Sequence, residues 1–173
     1  MATPEGSVDD IFLPGGQLRL DCFSDEALHA MRESLRLARE THWDSIRSPH
    51  VFMGLLAVPD ASVRNWGERL QADLSLLLDQ FQELFNQDQG EEEAVLVLNR
   101  EFLSDNVIHI LREAYERAAD HQRNKVTPMD LLISLLTAPQ SIVAECFVRI
   151  GVTARKLTEL ALMAEHTGRG EKN

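Results

Sequence analysis

The sequence is poor in cysteine, in long apolar runs and in positive charge, and each shortage excludes a class of protein. Cys22 and Cys146 are its only cysteines, too few for a disulfide framework in a chain of 173 residues, so we predict a cytoplasmic protein. No apolar run approaches the roughly 18 residues that a membrane span needs. The N-terminus also lacks the basic start and apolar stretch of a secretory signal. We therefore expect no membrane partner.

Lys and Arg number 17 against 28 Asp and Glu, which gives a formal net charge of −11. Because nucleic-acid binders neutralise phosphates with clustered cations, this balance excludes a general nucleic-acid partner. The phosphate-binding pattern GxxxxGK[ST] is missing, which argues against a nucleotide site. Metal-ligand spacings such as HExxH are missing too, and we expect neither a metal nor a cofactor.

An internal repeat is the most informative pattern that is present. The chain reads FSDEALHAMRE at 23–33 and LSDNVIHILRE at 103–113. Residues 24–82 align with 104–162 without a gap, and 12 of the 59 pairs are identical, where composition alone would give about three or four. The alignment indicates a duplicated unit whose second copy begins 80 residues after the first.

Each unit carries the apolar spacing of four helices. Ser24 and Ser104 are predicted N-caps, since a serine hydroxyl can accept a backbone N–H in the first turn. The predicted helices cover 24–42, 49–59, 60–71 and 72–86 in the first unit, and 104–122, 128–139, 140–150 and 153–166 in the second. The second helix of each unit is almost wholly apolar, so we expect it to be buried.

These patterns predict an all-α fold of two pseudo-symmetric four-helix repeats packed as one domain. The predicted divisions are a flexible N-terminal arm, 1–22; repeat 1, 23–86; an acidic linker, 87–102; repeat 2, 103–166; and a disordered tail, 167–173. The alternating residues after Gly16 allow a short edge strand or an extended arm laid on the core, and 94–99 allows a short strand or an extended connection.

The repeats resemble the Clp N-terminal domain, the double repeat that begins Clp-type AAA+ protein unfoldases. An aromatic or aliphatic residue and a capping hydroxyl open each unit, as Phe23-Ser24 and Leu103-Ser104 do here. The segments IRSPHVFMGLL at 46–56 and VTPMDLLISLL at 126–136 match the next family pattern, and IGVTARKL at 150–157 matches the closing one. The resemblance covers about 23–165, and no ATPase module is included, so we expect a free-standing N domain or a fragment of a longer protein.

The resemblance implies a non-catalytic domain that docks substrate proteins, adaptors or a short helical peptide for an unfoldase. The partner-binding residues that it implies line a groove between the repeats or beside their first helices: Phe23, Ser24, Trp43, Pro49, Leu103, Ser104 and Met129. The segment AVPDASV at 57–63 also resembles the branch that recycles the type VI secretion sheath. A Glu precedes the His of each unit in the phosphoarginine-reading branch, and since Pro49 and Met129 stand there, we do not expect that activity.

His50 and Asp130 occupy equivalent places at the start of the buried second helices, and we predict a structural role for both, because a buried polar group needs hydrogen-bond partners. His29 and His109 are interpreted as exposed helix residues, each four positions before a Glu. Trp66 is expected in the core. For Trp43 two roles are possible, packing within the chain or contact with a partner.

Three alternatives remain at this point. The chain is a stand-alone regulator that competes with an unfoldase's own N domain, a small enzyme using His50 and Cys146, or a structural dimerisation module. The enzyme hypothesis requires Cys146 to be exposed beside His50.

Overall fold

Eight α-helices form the described part of the chain, which in this computed structural model comprises residues 11–87 and 96–171, with side chains described as far as residue 167. The first unit contains α1 (Asp25–Glu40), α2 (Ser48–Ala57), α3 (Ala61–Leu70) and α4 (Leu74–Phe85). The second contains α5 (Asp105–Asp120), α6 (Pro128–Thr137), α7 (Ile142–Val148) and α8 (Ala154–Glu171). The predicted all-α class is confirmed.

The 80-residue repeat is visible in the backbone as well as in the sequence. Helices α1 and α5 begin and end at equivalent residues, and so do α2 and α6. His42 and Gln122 both end their helices with positive φ, 68° and 62°. A 3-10 turn precedes each unit at the same place, Leu20–Cys22 and Arg100–Phe102. The duplication predicted from the sequence therefore includes the turns between the helices.

Hydroxyl caps fix where the first helix of each unit begins. The Oγ atom of Ser24 accepts a hydrogen bond from the amide of Ala27 at 3.1 Å, and that of Ser104 accepts one from Val107 at 3.2 Å. Asp25 and Asp105 follow directly, where a carboxylate interacts favourably with the positive end of the helix dipole. The predicted N-caps are thus present in the structure.

Helices α2 and α6 are the centre of the core, as their apolar sequences predicted. Every residue of α2 from Ser48 to Leu56, and every residue of α6 from Pro128 to Leu136, is buried. Helix α2 approaches α1 closely because Gly54 has no side chain: a Cβ atom there would lie 2.3 Å from the carbonyl oxygen of Ala30. One glycine therefore sets how near α1 and α2 come.

The two units exchange short extended segments instead of packing as separate bundles. Ser24 donates its amide to the carbonyl of Val126 at 2.9 Å, and Val126 donates to Cys22 at 2.7 Å. At the equivalent place Ser104 donates to Ile46 at 3.0 Å and Ile46 donates to Phe102 at 2.8 Å. The segment before the first helix of each unit is therefore hydrogen-bonded to the loop before the second helix of the other.

Residues 11–22, which the sequence placed in a flexible arm, are packed on the core. Ile11 is completely buried, and Phe12 lies between two guanidinium groups, with Arg100 5.4 Å and Arg112 5.8 Å from the ring centroid. The amide of Leu18 donates to Leu98 at 3.1 Å. Apolar burial and these hydrogen bonds hold the segment, so the prediction is wrong here; residues 1–10 lie outside the described residues.

The predicted acidic linker and the predicted disordered tail also contain ordered residues. Half of the linker, residues 88–95, lies outside the described residues, but its end is folded, with Leu96 buried. The predicted disordered tail is helical as far as Glu171, since α8 continues through it. Within the described ranges no single helix is long and apolar enough to cross a membrane, and α6 with α7 reaches that length and composition only as a pair bent by 71°.

Candidate functional site

An apolar recess of about 440 Å³ opens between the end of α4 and the face of α7. Its lining comes from both units: Leu84, Phe85, Gln140, Ser141, Ile142, Glu145, Cys146 and Arg149. Leu84 is 59% exposed and Ile142 is 44% exposed, although side chains of this kind are usually buried. The recess therefore offers a partner an apolar surface that the described residues leave uncovered.

A second, more polar recess of about 300 Å³ lies at the start of α5 and is lined by Arg47, Ser48, Ser104, Asp105, Asn106 and Ile142. Ile142 belongs to both linings, so the two recesses meet at its side chain. We call the combined surface the junction groove. Its lining comes from both units, and of the residues predicted to line a groove it includes only Ser104.

Most of the side chains predicted to line the groove are instead core residues. Phe23 and Met129 are 1% and 2% exposed, and Pro49 and Leu103 are buried as well. They cannot touch a partner unless the core repacks, which corrects the prediction for these four residues. Their apolar character, which suggested partner contact, is used in packing where the exchanged segments cross.

The three remaining predicted contact residues are half-buried. Ser24 and Ser104 cap their helices, and only Ser104 lines the junction groove. Trp43 is held by contacts within the chain: its Nε1 atom donates to the carbonyl oxygen of Phe85 at 2.6 Å, its ring meets that of His50 edge-on, and the Arg47 guanidinium lies 5.1 Å from its centroid. Packing therefore accounts for Trp43.

His50 is fully buried and its ring caps α2. The Nδ1 atom accepts the amide hydrogen of Arg47 at 2.9 Å, so the proton of the neutral ring is on Nε2, which lies 3.2 Å from the Oγ1 atom of Thr41. Burial, and then the nearby charge of Arg47, lowers the pKa of His50 to about 4. The ring is accordingly neutral near pH 7, and both of its nitrogens are hydrogen-bonded.

Asp130, the equivalent of His50, caps α6 with a buried carboxylate. Arg117 and Arg123 both donate to it, and Arg117 also binds Glu165 through two nitrogens at 2.8 and 2.9 Å. Burial alone would raise the pKa of Asp130, but the hydrogen bonds from Arg123, the Thr127 backbone and Arg117 outweigh it and hold the pKa below its usual value. We call these four side chains, Arg117, Arg123, Asp130 and Glu165, the ionic cluster.

The structure does not assemble a cysteine–histidine pair. Cys146 lines the apolar recess and is half-buried, and burial raises the pKa of its thiol. His50 already uses both nitrogens in the core, so it has no lone pair with which to activate that thiol. Cys22 is buried. Within the described residues no three His, Cys, Asp or Glu side chains are grouped so as to hold a metal ion.

Sequence reasoning missed the residues that line the apolar recess. Leu84, Phe85 and Ile142 fit the apolar spacing of α4 and α7, so nothing in either helix alone marks them as exposed. The repeat alignment does carry a signal, because Cys146 stands where the other unit has Trp66 and Ile142 stands where it has Ser62. In the second unit the small Cys146 thus stands in place of a large core residue, and the apolar Ile142 stands in place of a polar one.

With this geometry in place, the comparisons can be added. The family of the Clp repeat (R) N-terminal domain matches residues 102–173, which contain the second unit. The second unit is thus a Clp repeat N-terminal domain. No curated protein sequence matches it. The expected family is thereby confirmed, and the solved structures described next share its fold across both units.

Three solved structures illustrate how far this Clp N-terminal domain fold extends. The N-terminal domain of the chaperone ClpD from Arabidopsis thaliana is 17% identical, with a TM-score of 0.65 over 86% of this chain and 97% of that one. The Hsp104 N-terminal domain from Candida albicans is 16% identical, with a TM-score of 0.62 over 81% and 89%. A ClpV N-domain in complex with a VipB peptide is 13% identical, with a TM-score of 0.61 over 83% and 88%.

Proposed function

We propose that this Clp N-terminal domain is a non-catalytic, cytoplasmic protein-binding domain that docks a helical segment of a substrate or adaptor protein for a Clp-type unfoldase. The exposed apolar recess at Leu84 and Ile142 carries the proposal, because an uncovered apolar concavity on a soluble domain is typical of a protein-binding site. The family fold supports it, since a related ClpV N-domain is described in complex with a peptide.

The shape of the junction groove favours a helix as the bound element. The apolar recess and the more polar recess share Ile142. An amphipathic helix can therefore place its apolar side chains in the apolar recess and its polar side chains near Ser104 and Asp105. The formal charge of −11 favours a partner with basic residues on its polar face, because charge complementarity speeds encounter and rejects acidic competitors.

Substitution of Ile142 tests the proposal, since its side chain belongs to both recesses. The variant Ile142→Asp places a carboxylate where they meet, and we expect it to weaken binding of a lysine-bearing amphipathic helical peptide by about tenfold or more. Val148→Asp is the matched control, because Val148 is on the same helix, is 52% exposed and lies outside both linings.

Peptide titration followed by backbone amide resonances measures both variants and the parent chain. The proposal predicts shifts confined to the ends of α4 and α7 and the start of α5, and no effect of Val148→Asp. If a scrambled peptide of the same composition bound equally well, or if Ile142→Asp and Val148→Asp behaved alike, the junction groove would not be the docking site.

A narrower candidate function is recognition of the type VI secretion sheath. The segment AVPDASV forms the turn into α3, where Asp60 accepts the amide of Val63 at 2.9 Å, and it is this segment that resembles the sheath-recycling branch. A helical peptide from a sheath subunit, titrated beside the generic lysine-bearing peptide, separates the two possibilities. Clearly tighter binding of the sheath peptide supports the narrower function, and equal binding opposes it.

A further inference from the structure

In the first unit, the position equivalent to Cys146 is occupied by a large buried side chain. Trp66 stands at the position equivalent to Cys146 and is completely buried. Its Nε1 atom donates to the carbonyl oxygen of Leu157 in α8 at 3.1 Å, and its ring meets that of Phe147 edge-on. The first unit thus supplies an indole at the place where the second unit supplies only a thiol.

The helices that follow α7 and α3 in sequence, α8 and α4, also differ in length. Helix α8 runs to Glu171, whereas its equivalent α4 ends at Phe85. Near its end α8 carries Thr167, which accepts a hydrogen bond from Arg69 at 2.5 Å. The residue equivalent to Thr167 is Gln87, which has left the helix and donates its amide to Thr41 at 2.9 Å. Among the described residues, therefore, the second unit has a thiol where the first has an indole, and α4 ends at Phe85 where α8 continues past the equivalent Glu165.

From this comparison we propose that the recess at Cys146 binds an aromatic side chain, tryptophan above all, carried on a basic helical segment of a partner protein. The inference rests on the proposed function and names the chemistry of its ligand. Trp66 shows that this fold accommodates an indole at the equivalent position. At about 440 Å³ the recess is within the roughly 300–1,000 Å³ of ligand pockets.

The lining suits an indole in particular. Leu84, Phe85 and Ile142 provide apolar contacts for the ring. A buried indole N–H needs an acceptor, and the carboxylate of Glu145 is in the same lining. Arg149, the equivalent of Arg69, is also there and can lie over the ring face. Basic residues flanking the aromatic one complement both Glu145 and the overall charge of −11.

Small aromatic probes test the inference on the 173-residue chain without any knowledge of the partner. We expect indole and N-acetyltryptophanamide, at millimolar concentration, to cause saturable shifts in the amide resonances of Ile142–Arg149 and Leu84–Phe85. They should also slow alkylation of Cys146 several-fold; Cys22 is buried and contributes little to that reaction. N-acetylalaninamide is the matched control and should do neither. Shifts that do not saturate, or that the alanine compound reproduces, overturn the inference.

Two variants fill or preserve the recess. Cys146→Trp supplies the indole from within the chain, and we expect it to abolish the indole-induced shifts, whereas Cys146→Ala should leave them unchanged. Unaltered indole binding in a folded Cys146→Trp variant overturns the inference. If that variant fails to fold, the alkylation rate of the parent chain with and without indole still decides the matter.

A peptide pair separates this inference from the proposed function. In a lysine-bearing helical peptide with one tryptophan, replacing that tryptophan by alanine should reduce affinity about tenfold or more. A peptide that binds at the junction groove equally well without its tryptophan contradicts the aromatic anchor and leaves the proposed function standing. Saturable indole binding in a chain that binds no helical peptide supports the recess chemistry and contradicts the proposed function.

Discussion

In the first unit the polar group at the start of the buried helix is a neutral imidazole packed against Trp43, and in the second unit it is a carboxylate held by two guanidinium groups. The two sets are equivalent throughout: Leu37, Trp43, His50 and Phe85 in the first unit stand where Arg117, Arg123, Asp130 and Glu165 stand in the second. We call the first set the aromatic cluster. In both units the capping atom accepts the amide hydrogen of the N-cap residue at 2.9 Å.

The difference shows that the fold requires a hydrogen-bond acceptor at the position of His50 and Asp130. The acceptor can be either neutral or charged. A neutral acceptor needs only apolar neighbours once its own hydrogen bonds are made. A buried carboxylate needs cations, because desolvation of an unpaired charge is costly. The members of each cluster therefore depend on one another. Exchanging a single residue between the two clusters is expected to destabilise both units. The predictions below run from the largest expected effect to the smallest.

Removing Asp130 should be the most damaging change to the ionic cluster. Asp130→Ala leaves Arg117 and Arg123 beside a single carboxylate, Glu165, and removes the acceptor for the Thr127 amide, which is one half of the capping box of α6. We expect the free energy of unfolding to fall by about 3–5 kcal/mol, as when one partner of a buried ion pair is deleted. Urea denaturation measures the loss. Glu159→Ala is the control, since it breaks an exposed pair with Arg155 and should cost well under 1 kcal/mol. Equal losses in the two variants would contradict the importance of the buried cluster.

Between about pH 6.5 and 4, the aromatic cluster should make the free energy of unfolding depend on pH, whereas the ionic cluster should not. The pKa of His50 is about 4 in the folded chain and 6.5 in the unfolded chain, so as pH falls below about 6.5 the unfolded state takes up the proton first. The stability that neutral His50 contributes, about 3 kcal/mol, is present above that pH and lost as pH falls towards 4. The pKa of Asp130 is lowered, so its contribution is lost only below 3.8.

Urea denaturation at several pH values between 7 and 4 measures this dependence. His50→Asn is the comparison variant, since it retains a hydrogen-bonding side chain but has no group that titrates in that range. The parent chain should lose more stability than the variant between pH 6.5 and 4. Identical slopes would show that the buried imidazole does not set the pH response.

Copying a residue of the second unit into α2 tests how tightly the first unit is packed. Gly54→Ser introduces the residue found at the equivalent Ser134, but its Cβ atom would lie 2.3 Å from the carbonyl oxygen of Ala30 and 2.4 Å from the Oγ atom of Ser34. We expect a loss of about 2–3 kcal/mol, because α1 and α2 must move apart. The reverse change, Ser134→Gly, serves as the control and should cost about 0.5 kcal/mol through helix propensity. A harmless Gly54→Ser would mean that the two interfaces are equally loose.

The smallest expected effect isolates one hydrogen bond of the aromatic cluster. Trp43→Phe keeps an aromatic ring near His50 and removes the Nε1 donor that binds the carbonyl oxygen of Phe85. A loss of about 1 kcal/mol is expected, which is typical of a single hydrogen bond. The thermal midpoint and the near-ultraviolet circular dichroism follow the change. A loss as large as that of Trp43→Ala would assign the effect to ring packing.

The helices, their caps and the duplication could be predicted from the sequence because each leaves a local signal. Apolar spacing identifies a helix, and Ser24 and Ser104 mark where the first ones begin. The packing of Ile11 and Phe12 could not be predicted, because two apolar residues in a short polar segment carry no periodicity. The ring of Phe12 also lies near Arg100 and Arg112, which are distant in sequence.

The site was harder to predict than the fold, because exposure depends on what lies opposite a residue. Leu84 and Ile142 belong to apolar helix faces, yet no described residue covers them. The residues predicted for the groove, such as Phe23 and Leu103, have the apolar character of contact residues and use it between the units. Asp130 could be predicted as a polar group that needs partners, but those partners come from three other positions along the chain.

The exchanged segments give this chain the organisation of a homodimer whose two copies have been joined end to end. Each unit contributes the extended segment that closes the core of the other. Ser24 is hydrogen-bonded to Val126, and Ser104 is hydrogen-bonded to Ile46. Neither half is complete alone, so unfolding of one removes a closing strip from the other and the two should melt together. Produced as separate polypeptides, the halves are expected to associate by restoring the same reciprocal exchange.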